Sequence, residues 1–254
     1  MMRRLEPRIL VVDDDPDICD NLRDILCDLG YQVDTAHDGP SALELVDRQP
    51  YDIALLDLKM PGMDGLTLYR EIKKRHAGTV SLLVTAFAGA STAEEALSAG
   101  AWSVLAKPVD FSKLLHLVEK ALDQPLVLVV DDDRDLCENL WDLLRDRGFR
   151  VCLAHDLHNA AEKLRDSSFD VVLIDMRIPD GDGGSVFRMV RTSNPESRTV
   201  LITGYRADMD QLVAQLLAEG ADAVQYKPFH IPDLIETLGK LAAAREDDAG
   251  GARR

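Results

Sequence analysis

The chain has 254 residues, 46 % of them hydrophobic, with 45 acidic against 29 basic side chains and a formal net charge of −16. That apolar content builds packed cores and excludes a disordered chain, while the acidity argues against a general polyanion binder, since phosphate backbones are held by a surplus of Lys and Arg. No apolar run approaches the roughly 20 residues that a bilayer demands, and the apolar segment at 9–12 is too short for a secretory signal, so a cytoplasmic protein is expected.

In chain order, residues 9–12, 33–36, 53–56, 80–84 and 104–106 are short β-branched or apolar runs separated by helix-period segments. Asp15 followed by Pro16 predicts an N-cap and first-turn proline opening a helix through Asp28, which Gly30 closes. An amphipathic stretch, 111–122, ends this block. Near-continuous apolar strands alternating with helices imply a parallel sheet covered on both faces, with ligands at the carboxyl ends of its strands.

The block then repeats. Val11-Val12-Asp13-Asp14-Asp15 returns as Val129-Val130-Asp131-Asp132-Asp133, and Leu56-Asp57-Leu58-Lys59-Met60-Pro61 as Ile174-Asp175-Met176-Arg177-Ile178-Pro179, both at an offset of 118. Thr85 maps to Thr203 at that offset, whereas Lys107-Pro108 maps to Lys227-Pro228 at 120, so the second copy carries two extra residues between Thr203 and Gly220. The expected organisation is a domain at 8–123, a linker at 124–125, a second domain at 126–241 and a frayed polar tail at 242–254. Residues 1–123 hold 13 basic and 21 acidic side chains and residues 124–254 hold 16 and 24, so each half is −8 and neither is a basic, nucleic-acid-binding domain. The four cysteines, Cys19, Cys27, Cys137 and Cys152, form no CxxC pair and are expected as buried thiols rather than a disulfide or zinc framework.

Three acids in each unit fall at the carboxyl edge of the predicted sheet: Asp13, Asp14 and Asp57, with Asp131, Asp132 and Asp175 in the copy. Converging carboxylates repel unless a cation neutralises them, and an all-oxygen site suits Mg²⁺. Thr85 ends the fourth strand and Lys107 the fifth, as do Thr203 and Lys227. A carboxylate nucleophile, a divalent cation, a Lys and a hydroxyl together can accept a phosphoryl group.

On these motifs, including Asp57 with MPGMDG after it and Asp175 with IPDGDG, both units resemble receiver domains of bacterial two-component response regulators. The resemblance implies two α/β, flavodoxin-like domains with strand order 2-1-3-4-5. It implies that Asp57 and Asp175 take phosphate from a phosphohistidine of a histidine kinase or phosphotransfer protein, without enzymatic turnover of a substrate. Asp13, Asp14, Asp131 and Asp132 would hold Mg²⁺ with the acceptors and the backbone carbonyls of Lys59 and Arg177. Lys107 and Lys227 would bind the acyl phosphate, with a cis peptide before the following proline. Thr85 and Thr203 would bond a phosphoryl oxygen, with the small Ala86 and Gly204 leaving room.

Val104 and Val224 depart from the family, which often places a switching aromatic there. Lys59 with Phe87, and Arg177 with Tyr205, line the expected site mouth and would restrict attacking water. Output is expected through a downstream protein partner, not nucleic acid or membrane, with one receiver acting as a phosphate sink or regulator of the other, or the chain serving a hybrid kinase system, as alternatives. Helices four and five, with Leu114, Leu115, Leu117, Val118 and Leu122, are the expected face for receiver-receiver or homodimer contact. Asp15 and Asp133 read as helix caps, His37 and His155 as surface or loop histidines, Cys19 and Cys137 as core, and Trp141 as a domain contact or an exposed aromatic. The rival reading, a haloacid-dehalogenase-type Mg²⁺ hydrolase, needs an acid two residues after the nucleophile, where Lys59 and Arg177 stand.

Overall fold

The computed structural model describes residues 7–86, 90–179, 181–204 and 210–251. The chain divides into two compact units, Met1–Gln124 and Pro125–Arg254. In the first, strands β1 (Arg8–Val12), β2 (Gln32–Ala36), β3 (Ile53–Asp57), β4 (Val80–Thr85) and β5 (Ser103–Ala106) alternate with helices α1 (Pro16–Asp28), α2 (Gly39–Arg48), α3 (Gly65–Arg75), α4 (Ala90–Ser98) and α5 (Phe111–Leu122). All strand pairings are parallel, in the order β2-β1-β3-β4-β5. The second unit repeats this with β6 (Leu126–Val130), α6 (Arg134–Arg145), β7 (Arg150–Ala154), α7 (Leu157–Asp166), β8 (Val171–Asp175), α8 (Gly183–Ser193), β9 (Arg198–Gly204), α9 (Asp210–Ala218), β10 (Ala223–Lys227) and α10 (Ile231–Gly251). Its sheet runs β7-β6-β8-β9-β10, the same 2-1-3-4-5 order that the resemblance implied.

Strands β1, β3 and β4, with β6 and β8 in the second unit, are near-continuous apolar runs because both sheet faces are covered there, whereas the edge strands β2 (QVDTA) and β10 (AVQYK) are more polar and only partly buried. Alternate residues of β1 divide between two clusters: Leu10 and Val12 join Ala42 and Val46 of α2 and Leu68 and Ile72 of α3, whereas Ile9 and Val11 join Leu22 and Leu26 of α1 and Leu114 and Val118 of α5. This two-sided burial fixes register and so fixes which residues end each strand. Aspartates then start the helices. Asp15, Asp38, Asp64 and Asp110, and Asp133, Asp156 and Asp182, each accept a first-turn backbone N–H. The capping role expected of Asp15 and Asp133 is therefore observed, and Gly30, at φ +90°, follows the end of α1.

Several expectations need correction. Helix α10 runs on through Gly251, past residue 241 where the second domain was expected to end; the run AAARE within it is good helix-forming sequence. Cys27 is exposed and Cys152 half-buried, so only Cys19 and Cys137 are buried thiols. Cys27 follows Leu26 on α1, where one step of 100° turns a side chain from core to solvent. Trp141 is 5 % exposed, with the Arg145 guanidinium 5.0 Å from its ring centre, which excludes an exposed aromatic. On α5, Leu115, Leu117 and Leu122 pack against the cluster of their own unit, so its apolar breadth is largely used there. No helix among the described residues is long and apolar enough to cross a membrane.

Burial pushes the Cys19 thiol up to about 11 and the Cys137 thiol up to about 12, so neither supplies thiolate near neutral pH. Iodoacetamide at pH 8 is expected to modify Cys27 in the native protein and to reach Cys19 and Cys137 only after unfolding in urea; peptide mass mapping reads the difference.

Candidate functional site

At the carboxyl edge of the first sheet, β1 ends just before Asp13, β3 ends with Asp57 and β4 with Thr85. The register sets Asp57 beside Val84 and Thr85 beside Ala106, so Lys107 leaves β5 next to Thr85, whose carbonyl accepts its amide at 2.8 Å. In the second unit Asp175 lies beside Ile202, Thr203 beside Tyr226 and Gly204 beside Lys227. The Lys107-Pro108 and Lys227-Pro228 peptides are both cis.

Carboxylate oxygens of Asp13, Asp14 and Asp57 lie within 4.8 Å of one another, as do those of Asp131, Asp132 and Asp175. The first acid and the strand-end acid of each set are buried and the second acid is exposed. Lys107 Nζ donates to Asp13 Oδ2 at 2.6 Å and Asp57 Oδ2 at 2.8 Å; Lys227 Nζ donates to Asp131 Oδ2 at 2.7 Å and Asp175 Oδ2 at 2.5 Å. The amides of Lys59 and Arg177 donate to Asp57 Oδ1 at 3.1 Å and Asp175 Oδ1 at 2.9 Å, so both oxygens of each strand-end acid are oriented. Thr85 and Thr203 are buried, and the Thr203 hydroxyl donates to the Gly204 carbonyl at 3.1 Å. A cleft of about 520 Å³ in the second unit is lined by Asp132, Asp175, Arg177, Thr203, Gly204 and Lys227 among others.

Burial raises the Asp13 and Asp131 carboxyls above their ordinary value, against the hydrogen bonds from Lys107 and Lys227 that pull them down. Burial likewise draws both lysines downward, but their bonds to the two carboxylates outweigh it, and both end raised. With the acids ionised, three carboxylates and one ammonium leave each site at −2. A divalent cation on oxygen ligands cancels that charge, so the donor set fits Mg²⁺.

The structure thus brings together all the acids, threonines and lysines singled out in the sequence. Lys59 and Arg177 are exposed at the rim, while Phe87 and Tyr205 lie outside the described residues, as does Asp180 of the second loop. Val104 and Val224 are half-buried and packed into the clusters beneath α3 and α8. Two glycines went unremarked. A Cβ on Gly183 would lie 2.6 Å from the Asp175 carbonyl oxygen, and one on Gly65 would meet the Asp57 carbonyl still more closely. The helix after each strand-end acid therefore starts in backbone contact with it, and the repeated Asp-Gly before an apolar helical pattern is the sequence signal for it.

Lys107→Met leaves two buried carboxylates facing each other and is expected to destabilise the metal-free protein by about 3 kcal/mol in urea unfolding at pH 7, with Mg²⁺ recovering part of the loss. Because the folded-state pKa of Lys107 is raised, its contribution is fully present below about 10.5, the ordinary lysine value, and is lost as pH rises through the raised one. The difference between wild type and variant should therefore shrink as pH rises through that raised value. Gly65→Ala is expected to cost about 1–3 kcal/mol by the same measurement, because backbone must move to admit the methyl.

The chain matches the model of the response regulator receiver domain at residues 9–119 and again at 127–239. It is 34 % identical over 197 residues to a response regulator receiver protein of Anaeromyxobacter sp. (strain Fw109-5), a match covering 78 % of this chain and 82 % of that one. It is 44 % identical over 114 residues to the transcriptional regulatory protein ZraR of Salmonella typhimurium, covering 45 % of this chain but only 26 % of ZraR. Among solved structures it is similar to a CheY-like receiver domain protein of Methanospirillum hungatei, at 34 % identity and a TM-score of 0.45 over 46 % of this chain and 94 % of that one. It is also similar to the response regulator TrrA of Thermotoga maritima in complex with Mg²⁺–BeF, at 36 % identity and a TM-score of 0.42 over 45 % and 98 %. Two matches to one model, on two units with the same sheet order, settle the family and set aside the hydrolase reading: the chain belongs to the response regulator receiver family, carries two tandem receiver domains, and is a phosphoacceptor signalling protein rather than an enzyme.

Proposed function

We propose that Asp57 and Asp175 are two Mg²⁺-dependent phosphoacceptors charged by a histidine kinase or a histidine phosphotransfer protein, and that the phosphorylated receivers signal through contact with a downstream protein. The observation that carries this reading is the lysine ammonium held between the first acid and the strand-end acid in both units. A carboxylate oxygen of Asp57 attacks phosphorus, an O–P bond forms, the P–N bond breaks, and the imidazole keeps the electron pair and takes up a proton. Lys107 supplies positive charge to the transferred group, and Thr85 a hydroxyl donor to one of its oxygens; Lys227 and Thr203 do the same at Asp175. When bound, Mg²⁺ stabilises charge on the transferring oxygens. Asp13, Asp14 and Asp57 with the carbonyl of Lys59 would hold it, and Asp131, Asp132 and Asp175 with that of Arg177.

The acyl phosphate adds close to two negative charges to a site already short of cations, which draws the lysine and threonine toward it and shifts a two-state element rather than turning over a substrate. Val104 and Val224, half-buried against the clusters of their own units, supply no aromatic rotamer for this shift. The −8 of each half favours a protein over a phosphate backbone as the target. Leu97 and Leu217, matched positions on α4 and α9, are 45 % and 39 % exposed, and Phe111 at the start of α5 is 40 % exposed. These side chains favour the fourth helix of each receiver, with the start of α5 in the first, as the face for receiver-receiver or homodimer contact. The reading places the protein in the cytoplasm with its phosphodonor.

Incubation with a small phosphodonor and Mg²⁺ should add two phosphates to the wild type by intact mass, one each to Asp57→Ala and Asp175→Ala, and none when EDTA replaces Mg²⁺. A wild type that takes up no phosphate would remove the reading.

A further inference from the structure

The first acid of each pair is held through its backbone as well as its carboxylate. The Asp13 carbonyl oxygen accepts from the Cys19 thiol at 3.4 Å and lies 3.4 Å from His37 Nδ1. The Asp131 carbonyl oxygen accepts from the Cys137 thiol at 3.3 Å and lies 3.1 Å from His155 Nδ1. A carbonyl oxygen can only accept, so Nδ1 carries the hydrogen in both rings. On the other side of the residue, the Asp13 amide donates to the Ala36 carbonyl at 3.2 Å and the Asp131 amide to the Ala154 carbonyl at 3.0 Å. Cys19 recurs as Cys137 and His37 as His155 at the same 118-residue offset as the acids themselves.

The pinned carbonyl belongs to the peptide that joins the first acid to the second. A peptide is planar, so fixing its C=O fixes its N–H and the position of the next Cα, and with it the direction in which Asp14 or Asp132 projects. Those second acids are exposed, without the packing that confines Asp13 and Asp131, yet their carboxylates must stay within the 4.8 Å cluster to share a cation. We propose that Cys19 with His37, and Cys137 with His155, are positioning residues that lock this peptide and so hold the second acid of each pair ready for Mg²⁺. His37 shows the role most plainly: it is exposed, buries little surface, and what it brings to the site is an N–H donor. The inference rests on the magnesium reading above.

The test is calorimetric titration of Mg²⁺ into the full chain, made as wild type, His37→Ala/His155→Ala and His37→Asn/His155→Asn. The asparagine amide nitrogen can stand where Nδ1 stands, so it restores the donor without the ring. Supporting ligands of this kind typically change metal affinity by 10–100-fold, so the alanine pair is expected to bind Mg²⁺ roughly tenfold more weakly and the asparagine pair within about twofold of wild type. Urea unfolding without Mg²⁺ should show the alanine pair folded, with a midpoint lowered by no more than a lost hydrogen bond and the half-buried His155 ring account for, so that the loss of affinity is read on folded protein. Wild-type affinity in the alanine pair, or equal weakening in the alanine and asparagine pairs, would overturn the clamp while leaving the magnesium reading intact. A wild type that binds no Mg²⁺ would overturn both.

Discussion

Everything at this protein's two sites depends on negative charge gathered faster than it is cancelled. Three carboxylates converge at the edge of each sheet, two of them buried, and the described site supplies one ammonium between them. That arrangement is tolerable because the lysine bonds both buried acids at once, and because the remaining charge is of the size a divalent cation removes. The same imbalance makes the site responsive. On the proposed function, adding a phosphoryl group changes the demand for positive charge and for hydrogen-bond donors at one point, and the lysine and threonine at the ends of adjacent strands would answer it.

The rest of each unit exists to keep those strand ends in place. Because the strands are buried on both faces, a slip of one residue in β3 would carry Leu56 to the other face and Asp57 away from the edge. The close approach of Gly65 to the Asp57 carbonyl, and of Gly183 to that of Asp175, ties the start of the following helix to the acceptor itself. Core packing, register and the absence of one Cβ therefore act together on the position of a single carboxylate.

Much of this was legible in the sequence, for a physical reason. Aspartate, threonine and lysine at the ends of apolar runs stand out because polar groups there cannot be buried without partners, and the second copy showed which of them belong together. What stayed hidden depends on three-dimensional detail that pattern does not carry. Cys27 sits one helical step from the core; Trp141 is covered; α10 runs on through a polar but helix-forming stretch. The contacts of Cys19 and His37 were hidden for a different reason. Both side chains bond a backbone carbonyl, which every residue possesses, so nothing in the motif of acids announces them, and only their recurrence at the same offset distinguished them from an ordinary core thiol and loop histidine.

The two copies also differ, and the location of the difference is informative. Toward the amino end of the fifth strand, the first unit has Trp102, with the Lys120 ammonium 5.9 Å from its ring centre. The matched residue in the second unit is Asp222, which pairs with Arg191 at 3.2 Å and Arg198 at 3.3 Å and accepts the Thr199 amide at 2.8 Å, while Arg191 also donates to the Gly220 carbonyl. An aromatic packed on a lysine and a network of two arginines on one aspartate are different solutions to closing the same corner. Either serves, because that corner has only to be filled. At the carboxyl edge the acids, the lysine, the threonine, the glycine against the acceptor and the cysteine-histidine pair are the same in both units. Packing admits substitutes, whereas a cation and a phosphoryl group fix the kinds and positions of the groups that meet them, and the repeat records that distinction within one chain.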